Sequence, residues 1–219
     1  MKEPLPQLLI TCDFDGTVTR QDTLVEILNA FGAPTWHRVQ SQVVSGELSI
    51  REGLEKEMGG VRATPEELKL VLSGIEVEPS FPPFVKAMRA RGVPLVLLSG
   101  GFDLCVETVL ARAHLWPLPT LANRLHKSNG AWHVEFPFPS LQCSACGHCK
   151  ADPIRMWNDQ GYTTVFVGNG VTDRCAAQAA QITFANDELS RWCRAHGIEA
   201  LAFQDFHDIE QELMRRGWL

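Results

Sequence analysis

No apolar run in this chain approaches the roughly 20 residues needed to span a bilayer, so nothing in it reads as a membrane-crossing helix. Positive charge is not in excess either: 20 basic side chains face 26 acidic ones, a net of −6. Duplex nucleic-acid binders carry basic surfaces, so that class loses weight. A small anionic ligand stays open, because a few local donors can outweigh a mild global charge. Residues 1–7 are polar, with no basic region leading into an apolar core. No secretory leader is therefore expected, and the cytoplasm is the expected compartment. The seven cysteines are an odd number, which argues against a fully paired disulfide framework. His-Glu-x-x-His, Gly-x-Ser-x-Gly and Gly-Lys-Ser/Thr are all missing, as are internal repeats and low-complexity tracts. What is present is ordinary: 219 residues, 45% hydrophobic and 21% charged. That suits one domain, or one domain with a small insert, able to bury a core without staples.

Short continuous apolar runs at residues 8–12, 93–98, 163–167 and 182–185 predict buried parallel strands, with a fifth at 201–203. Helical patterns at 84–91, 104–113, 153–160 and 174–180 lie between them. The alternation predicts an α/β fold, a Rossmann-like parallel sheet with helices on both faces. Polar and glycine residues gather where the strands end, at the edge where open α/β sheets bind ligands. Residues 22–75 break the alternation, with helical patterns only. They predict a small all-helical cap insert, giving a core of residues 1–20 and 76–219 and a cap of 21–75. Residues 121–138 read as a hairpin turning at Asn129-Gly130. The acidic stretch 205–216 reads as a helix with a solvated face.

Asp13-x-Asp15-Gly16-Thr17 follows the first strand. Two such carboxylates on a regular strand would face opposite ways, but the turn releases that restriction. A side chain and a nearby carbonyl can then share a hard cation, and a carboxylate beside it can attack phosphorus. The competing reading is an Asp-Gly turn with solvated carboxylates.

Residues 9–19, Leu-Ile-Thr-Cys-Asp-Phe-Asp-Gly-Thr-Val-Thr, resemble the first motif of the haloacid dehalogenase superfamily. Ser99 at the end of the second apolar run, Lys150 before a helix, and residues 168–173 (Gly-Asn-Gly-Val-Thr-Asp) resemble the other three, in order. The resemblance implies Asp13 as nucleophile, forming an aspartyl-phosphate, and Asp15 as the acid and base. It implies Ser99, with the amides of Gly100 and Gly101, as phosphate donors, and Lys150 as the charge-neutralising cation. Mg²⁺ would rest on Asp13, the Asp15 carbonyl and Asn169, with Asp173 as ligand or support. One position departs from the pattern: the superfamily usually has Asp where this chain has Asn169, so the site loses a formal charge.

The insert resembles the type-1 cap. Residues 99–103 and 122–125 resemble phosphoserine phosphatases. Residues 49–54, 143–150 and 203–206 are more similar to the 2-hydroxy-3-keto-5-methylthiopentenyl-1-phosphate phosphatases of methionine salvage. The cap arginine that phosphoserine phosphatases use for the substrate carboxylate would fall near Glu57, and their cap glutamate at Asp22. An acid in place of a bidentate cation should repel a carboxylate. The expected activity is Mg²⁺-dependent hydrolysis of a small phosphorylated metabolite, foremost the methionine-salvage enol phosphate. Phosphoserine is the alternative within that class, and a non-catalytic phosphate- or metabolite-binding protein is the alternative outside it. No nucleic-acid or membrane partner is expected, and the protein is expected as a monomer or homodimer.

Cys143, Cys146 and Cys149 have spacing compatible with structural Zn²⁺, with His148 or Cys175 as a fourth ligand. A redox pair, or thiols that only shape the segment before Lys150, are the other readings. Trp36, Trp116 and Trp132 are candidates to line a pocket, against the commoner role of aromatic packing.

Overall fold

The computed structural model describes residues 7–140 and 146–219. All five residues of β1 (Leu8–Cys12) are buried, because this strand sits inside the sheet with parallel partners on both sides. A helical insert follows: α1 (Thr23–Phe31), α2 (Trp36–Val44), α3 (Ile50–Gly59) and α4 (Pro65–Leu72). Then come α5 (Phe81–Ala90), β2 (Leu95–Phe102), α6 (Asp103–Arg112), β3 (Thr120–Ser128) and β4 (Ala131–Glu135). The chain continues through α7 (Ala151–Asp159), β5 (Thr163–Gly168), a 3₁₀ turn at Val171–Asp173, α8 (Arg174–Ala179), β6 (Ile182–Ala185), α9 (Asp187–Ala195) and α10 (Phe206–Arg215).

The six strands form one sheet in the order β4-β3-β2-β1-β5-β6. All pairs are parallel except β3 with β4. Strand faces alternate as the pleat demands. Val165 and Val167 of β5 enter one apolar cluster with α5, α6 and α10, while Phe166 enters a second with Ile154, Ala176 and Leu189. Chain order reverses at β1, since β2 lies on one side of it and β5 on the other. The crevice at the carboxyl ends of these strands is where open α/β sheets take ligands.

Local chemistry explains the insert. Ser49 with Glu52, and Thr64 with Glu67, close reciprocal capping boxes on α3 and α4, and Pro65 sits at the first position of α4. Ile27, Leu28, Leu54, Met58, Leu68 and Leu72 turn inward to a shared core. The insert leaves and returns through a two-stranded neck, in which Thr19 bridges Val77, Arg20 N donates to Glu76 O at 2.9 Å, and Glu78 N donates to Val18 O at 2.9 Å.

The expected hairpin is β3–β4, turned by Asn129 (φ 50°) and Gly130 (φ 81°), the paired positive φ of a tight hairpin turn. It also grips the insert. Lys127 Nζ and Trp132 Nε1 both donate to Ala63 O, at 2.7 and 3.0 Å, and the Arg51 guanidinium lies 4.4 Å over Phe136.

Two strand expectations need correction. β2 does not stop before Ser99 but runs to Phe102, with its register on β3 shifting between Leu98 and Phe102. Residues 201–203 form no strand; Leu201 makes a single bridge to Phe184. The chain is needed a few residues later as the entry to α10, whose cap Asp205 accepts from His207 N and Asp208 N. No helix among the described residues is long and apolar enough to cross a membrane.

Candidate active site

Asp13 leaves β1 with its backbone N–H still bonded to Val167 O of β5 at 2.9 Å. That places its carboxyl at the sheet's reversal point, where it is 6% exposed. Lys150, the residue before α7, bonds Asp13 Oδ1 and reaches Asp173 Oδ1 at 2.7 Å. The three side chains are 8%, 2% and 0% exposed, so the pairing is essentially dry. Charge-assisted bonds of this kind hold buried ions that would otherwise be too costly. Asp173 has no oxygen to spare: Oδ2 accepts from Asn169 N at 3.0 Å and Gly170 N at 2.9 Å. It anchors Lys150 to the turn after β5.

Burial and the Asp173 charge push the Asp13 carboxyl up to about 7, against the pull of Lys150. Burial opposes the Lys150 charge, yet Asp13 and Asp173 hold its pKa above the ordinary lysine range. Asp15 is raised to about 6 by burial and by Asp22. Its Oδ1 accepts from Thr23 N at 2.8 Å and Thr23 Oγ1 at 2.7 Å, so the first residue of α1 fixes its rotamer. A Cβ on Gly101 would come within 3.0 Å of Asp15 Oδ2 and 3.3 Å of Ser99 Oγ, so only glycine leaves that oxygen open space. Ser99 itself is fully buried and does not line the cavity; its Oγ accepts from Gly101 N at 3.0 Å.

A cavity of about 740 Å³ opens above these groups. Asp13, Asp15, Gly100, Gly101, Lys150 and Asn169 line its floor, with Asp22 and Glu57 from the insert. Glu57 is 6% exposed, and burial followed by the Asp22 charge raises its carboxyl to about 7. Leu24, Val43, Ile50 and Leu54 give the insert side an apolar wall. His148 also lines the cavity.

Asn169 follows β5, and its Nδ2 donates to Gly16 O at 3.1 Å. Gly16 has φ +76°, and a Cβ there would lie 2.4 Å from that nitrogen. Asp13, Asp15 and Asp173 crowd one lysine, a local excess of negative charge that suits a hard cation. Among the described residues no group of three or more His, Cys, Asp or Glu side chains is placed to hold a metal. A divalent ion there would therefore need carbonyl or amide oxygens beside the carboxylates.

Cys143 lies outside the described residues, Cys146 is half-buried and Cys149 is buried, so no zinc cluster is found among the described thiols. None of the three tryptophans lines the cavity. Trp36 and Trp132 belong to the apolar core, and Trp116 is exposed on the surface. Sequence reading missed Thr23, although Asp22 as a helix cap announces that an N–H-rich turn begins there. Asn123, noted only within the 122–125 resemblance, gains a role here: its Nδ2 donates to Gly100 O at 2.8 Å.

The sequence profile of the haloacid dehalogenase-like hydrolases matches residues 10–178. The chain belongs to that family. A relative from Bacillus velezensis named 2-hydroxy-3-keto-5-methylthiopentenyl-1-phosphate phosphatase is 34% identical over 209 residues, covering 92% of this chain and 88% of its own. One of the same name from Bacillus cereus is 31% identical and covers 93% and 94%. Among solved structures, a substrate-bound phosphoserine phosphatase complex superposes with a TM-score of 0.70 at 20% identity, covering 98% of this chain and 99% of that one. A phospho-aspartyl intermediate analogue of phosphoserine phosphatase gives 0.69 at 19%, covering 97% and 99%. At such identities the likeness is one of fold. This haloacid dehalogenase-like hydrolase thus has its four motif segments gathered at one end of the sheet, around one cavity.

Proposed function

We propose that this protein is a phosphoric monoester hydrolase acting on a small phosphorylated metabolite, with 2-hydroxy-3-keto-5-methylthiopentenyl-1-phosphate as the preferred substrate. The observation that carries the reading is the buried Asp13–Lys150–Asp173 line at the floor of a cavity large enough for a small metabolite. Asp13 is the nucleophile. Its carboxylate attacks phosphorus, the ester oxygen departs, and an aspartyl-phosphate forms. Asp15 gives the departing oxygen its proton and then takes one from the water that cleaves the acyl-phosphate. Thr23 keeps Asp15 in place for both steps. Gly100 and Gly101 of β2 face the phosphoryl oxygens. Ser99 beneath them holds the Gly101 N–H and so fixes their backbone rather than touching phosphate, and Lys150 balances the charge that gathers between the phosphoryl group and Asp13.

Mg²⁺ fits the donor set of the Asp13 carboxylate, the Asp15 carbonyl and the Asn169 amide oxygen, all hard ligands. Bound there, it offsets the repulsion between the phosphate and Asp13. Residues 21–75 act as the substrate-facing cap. Glu57 and Asp22 present acid where a substrate carboxylate would need a cation, and the apolar wall suits a thioether tail. The relatives' name supports this substrate, and the same two acids weigh against phosphoserine.

The test is a phosphometabolite panel with and without Mg²⁺, run beside Asp13→Asn. The parent should hydrolyse the enol phosphate and, on acid quench, yield a hydroxylamine-sensitive phosphoenzyme. Asp13→Asn should remain folded and lose both. Substantial turnover by the variant takes the nucleophile role from Asp13.

A further inference from the structure

Four buried polar side-chain atoms of the described residues lack a hydrogen-bond partner: Asn123 Oδ1, both ring nitrogens of His148, and Arg174 Nε. Buried polar atoms are rarely left so, and each asks for a reason. His148 stands out, because both of its ring nitrogens are unpaired and the residue is only 4% exposed. Its ring is held rather than loose. Phe138 meets it edge to face at 5.6 Å, and Cys149 N on the next residue donates to Phe138 O at 3.1 Å. Gly147 lets the segment press close, since a Cβ there would fall 2.5 Å from the Phe136 ring. His148 is among the residues that line the same cavity as Asp13, two residues before Lys150.

We propose that His148 is a specificity-determining residue, whose imidazole hydrogen-bonds an uncharged hydroxyl or carbonyl oxygen in the organic part of the substrate. The inference rests on the phosphomonoesterase reading above and adds a recognition contact to it. Burial, with the Lys150 charge beyond it, holds the ring's pKa down to about 3, so the imidazole is neutral. A neutral imidazole offers one donor and one acceptor, which match a hydroxyl or carbonyl, and it brings no positive charge to offset a carboxylate. Asp22 and Glu57 line the same cavity and exclude anions in the same sense. A site built to bond an oxygen rejects the analogue that lacks it, because its own polar atoms are then left dry and unpaired.

Two probes of equal carbon count test this: dihydroxyacetone phosphate, with a hydroxyl and a ketone, and n-propyl phosphate, with neither. Values of kcat/KM are measured for the parent, for His148→Phe, which keeps the ring and removes both nitrogens, and for His148→Gln, which restores a donor and an acceptor. The parent should prefer the hydroxy-ketone. His148→Phe should cut the preference ratio by about tenfold while altering propyl phosphate turnover less than twofold, and His148→Gln should recover part of it. The melting temperature of His148→Phe should match or exceed the parent's, because no bonded group is lost. If that variant does not fold, His148→Leu takes its place in the same comparison. A ratio unchanged in the Phe or Leu variant overturns the proposal, as does an equal fall on both probes, which marks a structural role. A parent with equal activity on both probes overturns this proposal alone. A parent that hydrolyses the enol phosphate but neither probe likewise overturns this proposal alone, and a parent that hydrolyses none of the three overturns the phosphatase reading and this proposal with it.

Discussion

Replacing Asn169 by aspartate should make the protein less stable without metal and more responsive to metal. The structure gives the reason for both signs. Asn169 Nδ2 donates to Gly16 O at 3.1 Å, so the amide nitrogen ties the turn after β5 to the turn after β1. Aspartate sets an anionic oxygen against that carbonyl. The lost bond is solvent-exposed, worth at most about 0.5–1.5 kcal/mol, and the repulsion adds to it. A net loss of about 1–2 kcal/mol in EDTA is expected, or a fall in Tm of roughly 2–4 °C per kcal/mol for a chain of this size. Mg²⁺ reverses the balance. A unit charge about 4 Å from a divalent ion, at an effective dielectric near 20, is worth roughly 8 kcal/mol of raw attraction. Carboxylate desolvation offsets most of it, leaving about 1–2 kcal/mol. That is about five- to thirtyfold in affinity. The assay is thermal melting of parent and Asn169→Asp in EDTA and across a Mg²⁺ titration, with initial rates over the same range. The variant should start lower, gain more, and reach half-activation at less Mg²⁺. Equal melting in EDTA refutes the hydrogen-bond argument, and coincident Mg²⁺ midpoints refute the ligand argument.

Lys150→Met strands two buried carboxylates, so urea denaturation at pH 7.5 should show a loss of about 3–5 kcal/mol along with lost turnover; a loss below about 1 kcal/mol would mean that the pairing is not what holds this end of the sheet. Glu57 has its carboxyl raised from 4.5 to about 7, so the folded state holds the proton more tightly than the unfolded chain does. Its contribution to stability is fully present below pH 4.5 and is lost as pH climbs through about 7. Glu57→Gln should therefore melt with the parent at pH 4.5 and above it at pH 8, by about 1–2 kcal/mol after allowance for solvent screening; equal differences at both pH values would remove the ionisation as the cause. Phosphoserine should trail an uncharged-tail phosphate by at least about tenfold in kcat/KM, or ~1.4 kcal/mol in the transition state, and parity would undo the argument from Asp22 and Glu57.

Much of the scaffold can be read from the chain because parallel strands buried on both faces are written as unbroken apolar runs. β1 and β6 run as the sequence indicates, and β5 extends one residue further. The reading fails where tertiary contacts decide. Residues 201–203 carry strand-like composition, but only one bridge forms there because Asp205 must cap α10. β2 continues through Ser99-Gly100-Gly101, which look like a terminus by themselves, because β3 resumes pairing at Phe102. In the site, Asp13, Asp15, Lys150 and Asn169 are recognisable from ordered motifs and do line one cavity. The partner of Asp15 is signalled only in part: Asp22 marks a helix start, but no periodicity encodes that Thr23 folds back across the turn onto Asp15. The apolar wall escapes for a related reason: Val43, Ile50 and Leu54 look like ordinary helix positions until two helices bring them together. His148 reads as a candidate metal ligand by its neighbours in sequence, whereas its neighbours in space are Phe138 and the cavity.

The neck at Thr19 and Val77 has a consequence for how this scaffold changes over evolutionary time. The two chain segments entering the helical insert are already bonded to each other, through Arg20 to Glu76 and Glu78 to Val18. The ends of the insert are thus brought together by the neck itself, and loop-closure entropy grows only slowly with the length enclosed. Insertions, deletions or wholesale exchange beyond the neck therefore put little strain on the sheet or on Asp13. What they disturb is the separate tether at the Ala63 carbonyl, where Lys127 and Trp132 hold the far side. A lineage can thus trade one recognition surface for another in a single recombination event, provided the hairpin finds a new carbonyl to hold.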